Sequence, residues 1–387
     1  MRLLFTLYLF IYSFEIMSKL LVFHPTIAPY RIDFFNDLAL SFQTRVCLRY
    51  WNLRDQTFDY DKIYSRFQFT PVYLKEKVKF WGRSIESGYW KNLDEFQPDI
   101  VLTEEFGIGT MLVLLHRFFK RKKYKVVTMC DDSYDMVAYK NEHSFVHRWA
   151  RKCVAPYLDD IIVIEPGTGR WYRNRYGKGY FFPIIKREDT ARNEYKSVLD
   201  WSKEIRRKCS LENKWIFLFV GRLVALKNVA SIIRSFSVID QRKNKLVIVG
   251  DGPEMNNLKR MAEELGTDVL FTGRLEGEAL NVWYDLADTL VLASYREPFG
   301  AVTNEALFAG CYVLVSNRAG SACLVEEGVN GYTFSPTNEQ DLAEKMMKIS
   351  SLPMNYETDG LKKNLMRLSY RSCMNGLVSH LKHLIHG

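Results

Sequence analysis

The sequence predicts an α/β protein built from two doubly wound domains, each a parallel sheet covered by helices on both faces. Short apolar runs alternate with helical patterns along most of the chain, which is typical of parallel strands joined by helical crossovers. The alternation stops in a polar, charged stretch near the middle and then resumes. The 387 residues also exceed what one hydrophobic core ordinarily organises, so two domains are expected.

The first domain is predicted over residues 17–190. Its strands are near-continuous apolar runs, as expected for strands buried on both faces, and helices such as 33–41 and 109–120 lie between them. The predicted strands are residues 20–23, 45–50, 100–103, 125–129 and 161–164.

The polar stretch 191–210 is interpreted as a linker, and the second domain is predicted over residues 211–358. Six apolar runs within the second domain predict its strands, and they begin near residues 215, 245, 269, 289, 312 and 331. A last helical pattern at 359–387 either closes the second domain or crosses back to the first. Two such domains leave a cleft between the carboxyl ends of their strands, where open α/β sheets bind ligands.

The first sixteen residues are an extension whose nature stays open. Their apolar run, residues 3–14, is shorter than the ~20 residues that span a bilayer. Arg2 precedes this run, but no small-residue cleavage site follows it. Three interpretations remain: a misassigned start with Met17 as the true first residue, a short membrane anchor, or a cleaved signal peptide.

The net charge limits the classes of binding partner to be expected, and the cysteine content indicates the cellular compartment. The formal net charge of +9 suggests an acidic partner, such as a nucleotide diphosphate, an anionic membrane surface or nucleic acid. No motif typical of nucleic-acid-binding proteins occurs, so a nucleic-acid partner is not expected. The seven cysteines are scattered without a C-x-x-C pair, which indicates reduced thiols in a cytoplasmic protein.

Two glycine-containing loops follow the first two strands of the second domain. In "FVGRLVALKN", Gly221 permits a sharp exit from the strand, and Arg222 and Lys227 are placed to clamp a diphosphate or to lie as solvated cations. In "VIVGDGPEMNNL", Gly252 belongs to an incomplete G-x-G-x-x-G pattern, because Met255 stands where the third glycine would be. This second loop is therefore interpreted as a tight turn near a nucleotide, not as an NAD site.

The segment "REPFGAVTNEALFAG" carries two carboxylates, Glu297 and Glu305. Pro298 fits the first turn of a helix and Gly310 fits its C-terminal end, so Glu297 is expected at the helix mouth and Glu305 two turns in. This spacing corresponds to about 12 Å along a helix axis. First-turn amides between the acids would donate hydrogen bonds to a phosphate. The expected phosphate-binding amides are those of Phe299, Gly300, Ala301 and Val302, and Pro298 is counted with them among the donor-binding residues.

These motifs together resemble the retaining glycosyltransferases of the GT-B fold, family 4 (glycosyl transferases group 1), of the bacterial surface-polysaccharide type. The resemblance covers about residues 215–341 and rests on "GRLVALKN", "VGDGP", "TGRL", "EPFGAVTNEALFAG" and "SNRAGSACLVEEGVNGYTFSP". It implies the GT-B architecture, two Rossmann-like domains facing across a cleft, with the acceptor side in the first and the nucleotide sugar in the second. It further implies that Glu297 binds the donor sugar, Glu305 the ribose, and Arg222 and Lys227 the diphosphate.

The first domain carries the candidate acceptor-side residues. The segment "HPTIAPYRIDFFNDLA" resembles the first strand-to-helix loop of some family members and lacks their glycine pair; Tyr30 and Arg31 are assigned to acceptor or phosphate contact. Where many members have a histidine after "KVVTM", this chain has Cys130, followed by Asp131 and Asp132. Either aspartate could touch the donor sugar or cap a helix. The remaining candidates are Glu104 and Glu105, which follow another strand and could position an acceptor hydroxyl.

No catalytic metal or other cofactor is expected. The D-x-D pattern at Asp59 and Asp61 matches the metal-binding motif of the other major glycosyltransferase fold, but it follows no apolar strand and is interpreted as a solvated loop. A basic stretch at the end of the 109–120 helix instead indicates peripheral contact with an anionic membrane, unless its cations only cap the helix. This stretch consists of Lys120, Arg121, Lys122 and Lys123.

The sequence therefore predicts an enzyme that moves a sugar from a UDP- or GDP-sugar to a saccharide or lipid-linked acceptor with retention, in surface-polysaccharide biosynthesis. The expected location is the cytoplasm, at the inner face of the plasma membrane if the basic stretch binds lipid. The catalytic candidates are Glu297, Asp132, Asp131 and Glu104. Two alternatives stay open: a sugar-nucleotide epimerase of the same fold, and a nucleotide-sugar-binding protein without turnover.

Overall fold

The computed structural model describes residues 17–51, 60–80, 83–139, 144–353 and 356–387. The extension 1–16 and Asp59 lie outside these residues. Asp61 lies in a short helix, Tyr60–Tyr64, and not in the predicted loop.

The N-terminal domain is a parallel sheet covered by helices on both faces. Its strands are β1 (Lys19–His24), β2 (Gln43–Leu48), β3 (Val72–Tyr73), β4 (Lys75–Phe80), β5 (Arg83–Ser87), β6 (Ile100–Glu104), β7 (Lys125–Cys130), β8 (Asp160–Val163) and β9 (Tyr180–Phe181). Seven of them pair in parallel in the order β3-β2-β1-β6-β7-β8-β9, while β4 and β5 form a separate antiparallel hairpin. The strand order reverses between β1 and β6, the place where doubly wound sheets bind ligands.

Helices join these strands. They are α1 (Ile32–Ser41), α2 (Tyr60–Tyr64), α3 (Tyr89–Phe96), α4 (Ile108–Phe119), α5 (Tyr134–Ala138), α6 (Phe145–Val154) and α7 (Pro166–Tyr176). Short 3-10 turns cover Pro29–Arg31 and Ala155–Tyr157. The five predicted strands correspond to β1, β2, β6, β7 and β8. The two-residue edge strands were not predicted, because two residues are too few for a periodic signal.

The C-terminal domain repeats this architecture with six parallel strands. They are β10 (Trp215–Val220), β11 (Asn244–Val249), β12 (Val269–Gly273), β13 (Thr289–Leu292), β14 (Tyr312–Ser316) and β15 (Gly331–Phe334). Their order is β12-β11-β10-β13-β14-β15, so the sheet reverses between β10 and β13. The loops after these two central strands carry the donor-site motifs.

The remaining helices cover the second sheet and connect the domains. They are α8 (Glu188–Lys196), α9 (Leu199–Lys208), α10 (Val229–Ser237), α11 (Met255–Glu264), α12 (Glu278–Leu286), α13 (Val302–Phe308), α14 (Glu339–Ile349) and α15 (Tyr370–His386), with 3-10 turns at Ala225–Lys227 and Gly320–Leu324. The predicted linker 191–210 is thus mostly α8 and α9, which pack against α12. The interdomain connection lies just before α8, in residues 182–187. This stretch is helical although it buries few apolar residues, among them Ala191 and Tyr195.

The C-terminal helix α15 packs back on the N-terminal domain, where it contacts α1. Met374, Leu377 and Leu381 are buried along it. His380 lies with Nε2 2.5 Å from Oδ2 of Asp160, at the start of β8. The helix predicted over residues 359–387 therefore begins only at Tyr370, and it contacts α1 of the N-terminal domain.

Candidate active site

The loops after β10 and β11 pack closely against each other, and glycines allow this close approach. Gly252 has φ 157°, and a Cβ on it would come 2.4 Å from the carbonyl oxygen of Leu223. The amide of Leu223 in turn donates to the carbonyl of Asp251 at 2.8 Å. Gly221 opens the first loop with the same φ. These glycines hold the segment that carries Arg222 and Lys227 against its neighbour, and this packing accounts for Gly252 without a nucleotide.

Glu297 lies in a loop fastened to the neighbouring strand end. Its amide donates to the carbonyl of Arg318 at 3.3 Å, and its carbonyl accepts from the amide of Gly320 at 3.1 Å. Its carboxylate accepts hydrogen bonds from the ammonium of Lys227 and from Oγ of Ser294, the latter at 3.3 Å. Lys227 therefore pairs with Glu297, whereas Arg222 of the same loop is exposed.

The helix after Glu297 begins later than the sequence predicted. It runs from Val302 to Phe308, so Pro298 lies in the preceding loop and Glu305 lies in the first helical turn, not two turns in. Gly300 explains the difference, because its φ of 93° interrupts any helix begun at Pro298. The predicted separation of Glu297 and Glu305 by about 12 Å along one helix axis is therefore wrong. Gly310 ends the helix with φ 81°, as expected.

The amides of residues 299–302 still mark the space between the two acids. In the described part of the chain, no hydrogen bond is recorded from any of these four amides. The loop at Gly300 is tightly packed, since a Cβ there would come 2.6 Å from Cδ2 of Leu292. A glycine is therefore required at this turn, both for its positive φ and for the close packing of Leu292, Ser321 and Glu297 around it.

Glu305 is held by groups from the interdomain segment and from α12. Nζ of Lys186 lies 3.3 Å from its Oε1, and the hydroxyl of Tyr284 donates to its Oε2 at 2.7 Å. The hydroxyl of Tyr195 donates to its main-chain carbonyl at 2.9 Å. Lys186 also lies 3.5 Å from Oε2 of Glu194. Burial acts to lower the pKa of Lys186, but the two carboxylates outweigh it and raise this pKa above its ordinary value.

The sequence analysis missed Lys186, Tyr195 and Tyr284. Each lies outside the recognised motifs, and only the packing of α8 against α12 and α13 brings these residues to Glu305. A lysine in a polar stretch gives no sequence signal that distinguishes it from a solvated cation.

The predicted acceptor-side residues converge at the carboxyl ends of β1, β6 and β7. The guanidinium of Arg31 donates to Oδ1 of Asp131 at 2.5 Å, and the amide of Asp131 donates to Oε1 of Glu105 at 3.0 Å. His24, which the sequence analysis did not select, lies with Nε2 3.8 Å from Oε1 of Glu104. Arg31 is buried in this network, whereas the neighbouring Tyr30 is 36% exposed.

Burial shifts the pKa values of Glu104, Glu105 and His24 in this cluster. Desolvation, followed by the Asp131 charge, raises the pKa of Glu104 to about 7. Desolvation and the Asp132 charge raise the pKa of Glu105 well above its ordinary value. Desolvation and the nearby Arg31 cation lower the pKa of His24 to about 4. Glu104 is thus a carboxyl group that exchanges a proton near neutral pH, as acid–base catalysts do.

Asp132 lies deeper than predicted. It is 2% exposed, and its Oδ2 accepts hydrogen bonds from Arg151 and from the hydroxyl of Tyr172, both at 3.2 Å. This carboxylate is therefore bound inside the N-terminal domain, and its predicted contact with the donor sugar stays a prediction. Nε2 of His147, on α6, lies 3.8 Å from the same oxygen and 4.0 Å from Oε2 of Glu105.

Glu105, Asp132 and His147 have the side-chain types of a metal site, with ligand atoms within 4.8 Å of one another. The guanidinium of Arg151 already balances the Asp132 charge and would repel a cation. The residues therefore fit a hydrogen-bonded network better than a metal centre.

The basic stretch after α4 is exposed. Phe118 and Phe119 are 76% and 65% exposed, and Lys120 to Lys123 follow them on the surface. Of these four cations, only Lys120 has an ion pair within the described part of the chain, and its partner is Asp94 at 3.8 Å. Within the same residues, no helix has the length and apolar character needed to cross a membrane.

Known proteins resemble the second domain most strongly in sequence. Residues 202–364 match the family of glycosyl transferases group 1. An uncharacterized glycosyltransferase of Methanocaldococcus jannaschii is 35% identical over 156 residues, which cover 39% of this chain and 40% of that protein. A GalNAc-α-(1→4)-GalNAc-α-(1→3)-diNAcBac-PP-undecaprenol α-1,4-N-acetyl-D-galactosaminyltransferase of Campylobacter jejuni is 27% identical over 241 residues, 61% of either chain. The chain thus spans less than two thirds of the length of these relatives.

Solved structures resemble the whole chain. The Anabaena protein HepE, solved in complex with UDP, superposes with a TM-score of 0.67 at 16% identity and covers 96% of this chain and 98% of its own. The lipopolysaccharide outer core galactosyltransferase WaaB superposes with a TM-score of 0.66 at 17% identity, covering 94% and 99%. These likenesses confirm the predicted GT-B fold, with both domains.

Proposed function

We propose that this chain, whose C-terminal domain matches glycosyl transferases group 1, transfers a sugar from a nucleotide diphosphate to an acceptor hydroxyl. One observation carries the proposal. Glu297 and Glu305 flank the amides of residues 299–302, for which no hydrogen-bond partner is recorded among the described residues, and a separate set of cationic and hydroxyl groups holds each acid. Phosphate alone would be repelled by two acids, whereas a nucleotide sugar has hydroxyls at both ends and phosphates between.

The roles follow from this layout. Glu305 accepts hydrogen bonds from the ribose hydroxyls, and the amides of 299–302 bind the phosphates. Glu297 accepts from the hydroxyls of the donor sugar. Lys227 turns from Glu297 toward the diphosphate when the donor arrives, joined by the exposed Arg222. Both cations then stabilise the negative charge that develops on the leaving diphosphate.

The transfer proceeds with retention. The acceptor hydroxyl forms its bond to the anomeric carbon on the face from which the diphosphate departs, and its proton leaves with the diphosphate or passes to Glu104. The raised pKa of Glu104 supports the second route, because such a carboxyl group can take and return a proton near pH 7. Asp132 acts indirectly, because its carboxylate accepts hydrogen bonds from Arg151 and Tyr172 and holds them in place. No metal or other cofactor takes part.

The acceptor is a saccharide or a lipid-linked saccharide, used in building surface polysaccharide. Lipid-linked sugars appear in the names of two relatives. One is the Campylobacter enzyme, and the other is an alpha-monoglucosyldiacylglycerol synthase of Streptococcus pneumoniae that is 29% identical over 321 residues. The exposed Phe118 and Phe119 beside Lys120–Lys123 suit an anionic membrane. The protein then works at the inner face of the plasma membrane, on a UDP- or GDP-sugar.

A panel of UDP- and GDP-sugars, followed by nucleotide release and by chromatography of the sugar, tests the proposal. Slow release of free sugar and nucleotide without acceptor, accelerated by an acceptor, supports transfer. An isomerised sugar nucleotide would identify an epimerase, and binding without turnover would identify a non-catalytic nucleotide-sugar-binding protein.

A further inference from the structure

A cavity of about 580 Å³ lies between the two domains. The N-terminal domain contributes α5 and the residue after it, and the C-terminal domain contributes the loops that come after β13, β14 and β15. Its volume falls in the range of small-molecule binding sites. Aromatic, charged and amide side chains line it, among them Tyr134, Asp135, Tyr139, Tyr295, Asn317 and Arg318.

Three tyrosines line this cavity from both sides. Tyr134 and Tyr139 come from the N-terminal domain and Tyr295 from the C-terminal domain, and they are 44%, 51% and 45% exposed. Each tyrosine thus contributes a large rigid side chain that is partly accessible at the cavity. Such rings provide apolar contact area and a hydrogen bond at little cost in conformational entropy.

An ion pair crosses the cleft at the same cavity. Nε of Arg318 lies 2.9 Å from Oδ2 of Asp135, and the guanidinium lies 5.7 Å from the ring centre of Tyr139. Asn317 adds an amide to the same wall. Planar rings together with charged and amide groups match a sugar, whose ring has apolar C–H faces and a rim of hydroxyls.

The cavity adjoins the Glu297 end of the candidate site. Tyr295 is two residues before Glu297, and the carbonyl of Arg318 accepts from the amide of Glu297. Glu305, by contrast, is held by Lys186 and Tyr284, which do not line the cavity. A ligand in the cavity therefore meets the sugar end of a donor and not its nucleoside.

We propose that this cavity is a saccharide-binding subsite in which Tyr139 and Tyr295 stack on a pyranose ring of the acceptor, and Asp135, Asn317 and Arg318 bind its hydroxyls. The assignment of acceptor rests on the proposed function, whereas saccharide binding itself does not. The ring next to the transferred sugar would occupy this position, so Tyr139 and Tyr295 help to select the acceptor.

Saturation-transfer NMR on the full-length protein tests the subsite without donor or turnover. The probes are the methyl α- and β-glycosides of glucose, galactose, mannose, N-acetylglucosamine and N-acetylgalactosamine. At least one glycoside is expected to receive saturation from wild-type protein. Its affinity should fall about tenfold in Tyr139→Ala and persist in Tyr139→Phe, which keeps the ring.

Tyr356→Ala, which removes an exposed tyrosine elsewhere, is the matched control and should bind as the wild type does. Calorimetric titration of Tyr139→Ala with UDP and GDP checks for a nucleoside in the cavity. The proposal is overturned if no glycoside binds, if Tyr139→Ala and Tyr295→Ala both bind normally, or if Tyr139→Ala loses nucleotide instead of glycoside affinity. Failure of the proposed function would instead appear as absent turnover in the donor panel, with glycoside binding intact.

Discussion

Nζ of Lys186 lies 3.3 Å from Oε1 of Glu305, and this contact joins the segment between the domains to the helix that carries the candidate ribose ligand. The same segment is fastened a second time, because the side-chain amide of Asn304 donates to the carbonyl of Ile184 at 3.0 Å. The ion pair therefore holds Glu305 in place and couples the donor site to the interdomain connection.

Replacing either member of this pair is expected to weaken nucleotide binding. Glu305→Ala removes the carboxylate that accepts hydrogen bonds from the ribose hydroxyls. Affinities for the donor and for free nucleotide should therefore both fall, by about tenfold or more. Lys186→Met leaves Glu305 and Glu194 without their shared cation and should lower nucleotide affinity in the same direction, while Lys186→Arg should largely restore it. Calorimetric titration with nucleoside diphosphates measures this. Lys196→Met, at an exposed position on α8, is the control, and wild-type affinity in both Lys186→Met and Glu305→Ala would contradict the assignment.

Glu297→Ala should separate catalysis from nucleotide binding. The side chain is assigned to the donor sugar, so turnover should fall by about a hundredfold while affinity for the free nucleoside diphosphate stays nearly intact. Steady-state kinetics with the active donor, beside the same calorimetry, gives both quantities. Equal losses of nucleotide affinity in the Glu297 and Glu305 variants would rule out this division of roles.

Glu104 should give stability a distinctive pH dependence. Its pKa is about 7 in the fold against an ordinary 4.5, so between these values the folded protein keeps a proton that the unfolded chain has released. Its contribution to the free energy of unfolding therefore decreases as pH rises through this window. Urea unfolding at pH 5 and pH 8 should show Glu104→Gln gaining stability relative to the wild type at the higher pH, on the order of 1 kcal/mol.

The wild type must be compared with Glu104→Gln because His24 changes the free energy of unfolding with pH in the direction opposite to Glu104. Its lowered pKa means that the unfolded chain binds a proton first as pH falls, so the His24 contribution rises with pH between about 4 and 6.5. His24 is present in both proteins, so its direct contribution largely cancels in the difference. A difference between the two proteins that does not change with pH would contradict a neutral-range pKa for Glu104.

Charge removal tests the membrane contact. Replacing Arg121, Lys122 and Lys123 by glutamine should reduce binding to vesicles of anionic lipid by about tenfold or more, because each cation near such a surface contributes about 1 kcal/mol. Sedimentation with phosphatidylglycerol vesicles at low and high salt measures it. Glutamines at Lys203, Arg207 and Lys208, three exposed cations of α9, give a control with the same loss of charge. Equal binding by the two triple variants would refute a specific surface.

Donor turnover should survive removal of divalent metal. Asp132 is bound to Arg151 at 3.2 Å, and the diphosphate has Arg222 and Lys227 to balance its charge. Nucleotide release is therefore expected to be unchanged in EDTA and in added Mg²⁺ or Mn²⁺. Loss of activity in EDTA, restored by Mn²⁺ in the wild type and not in Asp132→Asn, would identify Glu105, Asp132 and His147 as a metal site.

Much of the candidate site could be predicted from sequence because its residues come directly after buried strands. The carboxyl ends of parallel strands share one edge, so Arg31, Glu104 and Asp131 were selected from separate loops and do meet there. Their protonation could not be predicted, since it depends on desolvation by the surrounding fold. Lys186 and His147 escaped for a related reason: each comes from an element whose position is fixed only by packing.

The sequence by itself determined the α/β class, the two parallel sheets and the pairing of Glu297 with Glu305 in one motif. These features depend on local patterns, since apolar periodicity and turn residues act over a few neighbours. Only the tertiary structure decided where α13 begins, which groups hold Glu305, and which side chains line the cleft. A single positive φ at Gly300 moved the helix start by four residues, and interdomain packing brought Tyr139 and Tyr295 to one cavity. Such contacts join residues far apart in the chain, and no local pattern records them.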